Sequence, residues 1–200
     1  MSISQERRNA GAELLFAYMN DMTSKYSVFA PPDALAKKLP RDWSNAEAQA
    51  YRDWLLSHAN ARVETLLNFM CLQRTSEPDV LLHEAQIKLE NLFSDAEFVE
   101  NGPTGKRLTQ LGYAIAADLG LLVAQLIIEA TQGKVHWKIL TKPKSDTSFN
   151  LPVLEGFGAT TYDPIAVSIA DATWILRSNY KPDAWVKVYR HVVASVPIGA

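Results

Sequence analysis

Cysteine occurs once in the 200 residues, at Cys71, so the chain closes no disulfide within itself and cannot build a zinc site from thiolates alone. An excess of one charge sign is missing too: 20 Lys and Arg stand against 22 Asp and Glu, a formal net charge of −2. That balance offers no chain-wide attraction to nucleic acid or to an anionic membrane, and neither is expected as a partner. The opening MSISQERRNAGAELL has no apolar run between its charges and a small-residue cleavage site. No signal peptide is therefore expected, and the location read from it is cytoplasmic. The four histidines, His58, His83, His136 and His191, lie far apart without HxH or HExxH spacing, so no metal and no cofactor are expected. GxSxG, serine–lysine and paired-carboxylate signatures are absent as well, which removes the reason to name a catalytic residue.

What is present describes a folded, largely helical chain. Hydrophobic residues make up 48% and charged residues 21%, an ordinary globular composition. The length suits one domain over residues 1–200, at most with residues 1–42 as a helical appendage. Leu14, Leu15, Tyr18, Met19 and Met22 give Gln5–Met22 a helical stripe. Ser27–Arg41, with Pro31, Pro32 and Pro40, reads as a connection. Ser44 followed by Glu47 is a capping box, from which a long helix runs towards Gln73 with Ala50, Trp54, Val63, Leu66, Leu67 and Met70 on one side. Pro78 opens another helix, with Val80, Leu81, Ile87, Leu89, Leu92 and Phe93 periodic after it. Asn101–Gly105 breaks the chain.

From Leu108 the sequence reads LTQLGYAIAADLGLLVAQLII, with a single charge, Asp118. Such a run could span a bilayer. A mid-run carboxylate is costly in lipid, and Gly112, Ala116, Gly120 and Ala124 recur every fourth residue as a ridge without side-chain bulk. The spacing predicts instead a central core helix on which a neighbouring backbone lies closely, ending at Gly133. Val135–Thr141 alternates as a strand, and Phe149–Leu154 returns as a second, with Pro152 placing it at an edge or shortening it. Gly156 and Gly158 mark a loop. Asp163-Pro164 starts a helix lined by Ile165, Ile169 and Ala172, and Pro182 opens a last one carrying Trp185, Val188, Tyr189, Val192 and Val193. The expected fold is mainly α (α+β): five to six helices around a central apolar helix, with one small late β-hairpin.

Several residues carry chemistry worth following. Asp118, on the central helix, needs partners if buried, and with His136 and Tyr162 it could line a pocket between that helix and the hairpin. ENGPTGKR (100–107) lacks two elements of the phosphate-loop pattern and reads as a turn before a helix. Cys71, on an apolar helix face, reads as a buried small hydrophobe. Five tryptophans exceed normal usage. Trp43, before a cap, and Trp185, in a first helical turn, are expected to be partly exposed and, with Glu97 and Glu100, to form a candidate interface. Glu84, Glu90 and Asp95 extend that acidic stretch.

The order Leu111-Gly112, Leu119-Gly120, Gly133, Trp137, NLPVLEGFG and YDPIAVSIADATWIL resembles small bacterial domains of unknown function, some of them similar to immunity proteins encoded beside secreted toxins. The resemblance covers about residues 108–177 and carries no catalytic residue. It implies a cytoplasmic, protein-binding protein that neutralises a bacterial toxin, and an acidic face would steer its association with a basic partner. The alternatives are an enzyme or small-molecule binder using Asp118, His136 and Tyr162, and a module that meets a copy of itself as a homo-oligomer.

Overall fold

The order of elements follows the punctuation of the sequence closely. The computed structural model describes residues 26–28, 31–74, 77–103, 105–158, 160–177 and 182–197; the stripe over Gln5–Met22 lies outside them. Among the described residues the chain forms α1 (Asp33–Ala36), a 3₁₀ turn (Pro40–Asp42), α2 (Asn45–Phe69), α3 (Pro78–Leu92), β1 (Val99–Gly102) and β2 (Gly105–Leu108). Then come α4 (Gln110–Ala130), β3 (His136–Ile139), β4 (Pro152–Phe157), β5 (Thr160–Tyr162), α5 (Pro164–Leu176) and α6 (Ala184–Ala194). The protein is mainly helical with two small antiparallel sheets, β1-β2 and β3-β4-β5.

The helix ends are fixed by local hydrogen bonds. At α2 the Ser44 hydroxyl accepts from Glu47 N (3.2 Å) while Glu47 accepts from Ser44 N (2.8 Å), a reciprocal capping box. Lys38 and Ser44, both donating to Glu47, hold its carboxyl down at about 2. Thr109 caps α4 through Gly112 N, and Asp163 caps α5 through Ala166 N at 2.9 Å, with Pro164 in the first turn. Gly133 ends α4 in left-handed backbone (φ +78°), its N–H donating to Ile128 O at 3.0 Å.

The helix α4 is the inner post of the fold. Every residue from Ala114 through Ala124 is buried, and the helix touches α2, α3, α5, α6 and β2. Its length and composition would let it cross a membrane, yet 83% of its most apolar window is enclosed by the rest of the chain, as in a core helix. The bare ridge explains how. A Cβ on Gly120 would lie 2.6 Å from Pro164 O and 2.8 Å from Ile165 Cα, so the start of α5 rests on the α4 backbone there. A Cβ on Gly112 would lie 2.3 Å from Phe98 O. Backbone, unlike a flexible side chain, has no room to yield.

The structure corrects several expectations. Val99–Gly102 and Gly105–Leu108 form an unforeseen hairpin in which Val99 faces Leu108 and Glu100 faces Arg107; its polar arms carry no alternation to read. The late hairpin is a three-stranded sheet whose middle strand, β4, begins at Pro152, where a missing N–H costs least. Gly156 lies inside β4 beside a break in the β4–β5 register, not in a loop. Its φ of +122° and a Cβ position 2.6 Å from Lys134 O both require glycine there. The connection Ser27–Arg41 contains α1 and part of the 3₁₀ turn. The helix α3 buries Leu81, Leu82, Ala85, Gln86 and Leu89, which turns Val80 and Ile87 outwards at 49% and 45% exposure. The last helix starts at Ala184, after Asp183 in left-handed backbone.

Gly120→Ala is expected to lower the unfolding free energy by about 2 kcal/mol, because overpacking against the α5 backbone outweighs the roughly 1 kcal/mol that alanine gains in helix propensity. A urea midpoint equal to or above the parent's would contradict this close crossing.

Candidate functional site

Asp118 is the one charge on α4's buried length, and both of its oxygens are occupied. Arg62, from the middle of α2, donates Nε to Oδ1 at 3.1 Å and Nη2 to Oδ2. The Tyr26 hydroxyl donates to the same Oδ2. Arg62 also donates Nη1 to Ser27 Oγ at 3.2 Å, and its guanidinium lies 5.2 Å from the centre of the Tyr26 ring. Side-chain exposure is 8% for Arg62 and 2% for Asp118, so solvent screens this pair little. Burial pushes the Asp118 carboxyl up, while the bonds and charge of Arg62 and the Tyr26 hydroxyl pull it down. The arrangement ties α2, α4 and the segment at Tyr26 together. Its chemistry is that of a structural clamp, with Arg62 Nε and Nη2 and the Tyr26 hydroxyl all donating to the carboxylate.

The other two residues of the expected pocket have separate surroundings. His136 is exposed on β3, where its Nε2 lies 3.1 Å from Glu155 Oε1 on the neighbouring strand. Lys138 donates to the other Glu155 oxygen at 2.6 Å and, as the largest cause, holds that carboxyl below its ordinary range. Tyr162, on β5, is pushed up first by burial and then by the nearby Asp171 and Asp163 charges. No hydrogen bond or ion pair joins any two of Asp118, His136 and Tyr162. Among the described residues no group of three His, Cys, Asp or Glu side chains could hold a metal ion.

The tryptophans change places with their expected roles. Trp43 is 5% exposed and Trp185 1%. Trp43 packs on Tyr51, with ring centres 5.0 Å apart, and Trp185 donates Nε1 to the buried Ser168 Oγ at 3.0 Å. Both are core residues. A position beside a cap says where the backbone turns, and says little about which way the ring goes. Trp174, on α5, is the tryptophan at the surface, 47% exposed. Cys71 is exposed as well: left-handed backbone just beyond α2 (φ 52°) swings it off the apolar face.

Glu97 and Glu100 are exposed as expected, and Glu100 pairs with Arg107 across the β1–β2 hairpin at 2.8 Å. They belong to a wider face. Residues 77–100 hold seven carboxylates and one lysine, Lys88, although the whole chain is only −2. Glu77, Glu84, Glu90, Asp95, Glu97 and Glu100 are all exposed, with Val80 and Ile87 among them. Asp79 is drawn to Arg190 of α6 at 2.6 Å.

A second lone carboxylate escaped the sequence reading. Asp171, the only charge within α5, is partly buried, and its Oδ2 is fully buried without a hydrogen-bond partner among the described residues. Burial pushes its carboxyl up to about 6. The signal for it was the same as for Asp118: one acid in an otherwise apolar helix.

Comparison of the chain with protein-family models, with curated proteins and with solved structures gives no match.

Two outcomes follow from these carboxylates. Arg62→Met and Asp118→Leu should each cost about 3–5 kcal/mol by leaving a buried charge uncompensated, and the Arg62→Met/Asp118→Leu pair should cost at least about 2 kcal/mol less than the sum of these single changes. Strictly additive unfolding free energies would contradict the clamp. For Asp171, a folded value near 6 lies above the roughly 3.9 of an unfolded chain, so the stability present below about pH 4 is lost as pH rises through 6. Relative to the parent, Asp171→Asn should therefore gain about 2 kcal/mol between pH 4 and pH 7.5 in chemical denaturation, and a difference independent of pH would refute the assignment.

Proposed function

We propose that this chain is a protein-binding protein that covers a basic surface on its partner, in the manner of an immunity protein neutralising a toxin. The observation that carries the reading is the stretch of residues 77–100, which holds seven carboxylates and exposes Val80 and Ile87. Carboxylates steer a basic partner into contact, and two half-exposed aliphatics two turns apart on α3 give that contact an apolar centre to bury. Glu84 sits between them on the same helix face, four residues from Val80 and three from Ile87. The similarity of residues 108–177 to immunity-like bacterial domains points the same way. Proteins that attack nucleic acid carry basic surfaces, which such a face would mask.

Recovery from the native host with the full-length chain as bait tests the reading. It should yield one stoichiometric basic protein whose association rate falls steeply as salt is raised. Glu84→Lys combined with Ile87→Asp should abolish its recovery without changing the unfolding free energy by more than about 0.5 kcal/mol, since both side chains are exposed. A partner retained in full by that variant would overturn the assignment of this face.

A further inference from the structure

The charge of this chain is divided more sharply than its total suggests. Residues 77–100 carry an excess of six negative charges, whereas residues 134–144 hold four lysines and no carboxylate. These two stretches together account for the net −2, so the rest of the sequence is balanced. The basic stretch begins just after α4, follows β3 and enters the loop beyond it, with Lys134, His136, Lys138, Lys142 and Lys144 all exposed. Lys138 and His136 share Glu155 of the neighbouring strand. Lys134, Lys142 and Lys144 belong to no ion pair among the described residues, and neither do Glu84, Asp95 and Glu97. Each stretch therefore keeps charge that the fold of one copy does not neutralise.

The strip runs along an edge, since β3 is an outer strand of its sheet. Two such edges do not pair with each other, because that would bring lysine against lysine. The counterpart that the sequence itself supplies is the acidic stretch. We propose that the lysine strip of residues 134–144 docks on residues 77–100 of a second copy of this chain. A net charge of −2 sets little overall repulsion against such a pairing. Val80 and Ile87, exposed within the acidic stretch, give the contact apolar surface to bury. Exposed ion pairs are individually weak, so the association is weak, rises with concentration and is screened by salt. It covers the face assigned above to a basic partner, which must then compete with it. The inference does not rest on that partner, because both patches belong to this chain.

Sedimentation velocity of the purified full-length chain tests this without any partner, so a failed recovery from the host leaves it untouched. At about 50 mM salt the mean mass should rise as the protein is concentrated to about 0.5 mM, and about 0.5 M salt should weaken the association at least tenfold. The triple change Lys134→Glu/Lys142→Glu/Lys144→Glu and the double change Glu84→Lys/Glu97→Lys should each weaken it by about tenfold or more. Mixing the two reversed proteins should restore the larger species, because an acidic patch again meets a basic one. That rescue also shows both variants to be folded, as the exposure of all five side chains predicts. A parent that stays monomeric, an association indifferent to salt, or a mixture no larger than its separate components would overturn the proposal. So would a monomeric parent that binds a single-stranded DNA oligonucleotide saturably through the three lysines, since nucleic acid would then be what covers the strip.

Discussion

A carboxylate sits at the centre of this protein, and the fold is organised around neutralising it. Asp118 projects from a helix that is otherwise apolar over its whole buried length, and Arg62 and Tyr26 meet it there. An unpaired charge in that setting would be intolerable, so the identity of α2's partner face and the position of the chain at Tyr26 are both fixed by it. Hydrophobic burial drives α4 inside, and the Asp118 pairing selects which neighbours surround it and in what register. The bare ridge of the same helix then sets how near α5 and the Phe98 turn can come. Sequence, crossing distance and charge pairing act on one element.

This arrangement also decides what Asp118 is for. A side chain whose oxygens already accept from a guanidinium and a phenol inside the core has no free edge to offer a ligand. His136 shares a strand-to-strand hydrogen bond with Glu155, and Tyr162 lies near the Asp163 and Asp171 charges. The carboxylates of residues 77–100 lie on the outside, some of them already paired, as Asp79 is to Arg190 and Glu100 to Arg107. Protein recognition by this chain is therefore argued from its outside, where apolar side chains that the core did not take up lie among acids.

The parts of the fold visible in the sequence are those governed by neighbours a few residues apart. The Ser44–Glu47 box, the Asp163-Pro164 start and the Gly133 stop each follow from a backbone group and a side chain within one turn. The central helix was legible because its small residues keep a four-residue period. The hairpin at residues 99–108 was not, because its strands are short and polar. Ring orientation was not legible either: Trp43 and Trp185 are set by contacts with Tyr51 and Ser168 that no local rule contains. Asp118 could be marked as needing partners, yet Arg62 and Tyr26 lie 56 and 92 residues away. Arg62 did leave a trace, as a cation of α2 that falls between Ala59 and Val63, both buried.

Hydrogen exchange of the α4 amides from Ala114 to Leu122 tests the central claim most directly. If this helix is the inner post clamped at Asp118, those amides exchange only through global unfolding, with protection free energies equal to the value from denaturation and falling in step with it in Arg62→Met. Protection several kcal/mol below the global value, or unaltered by loss of Arg62, would mean that α4 opens on its own and that the fold does not hang on it.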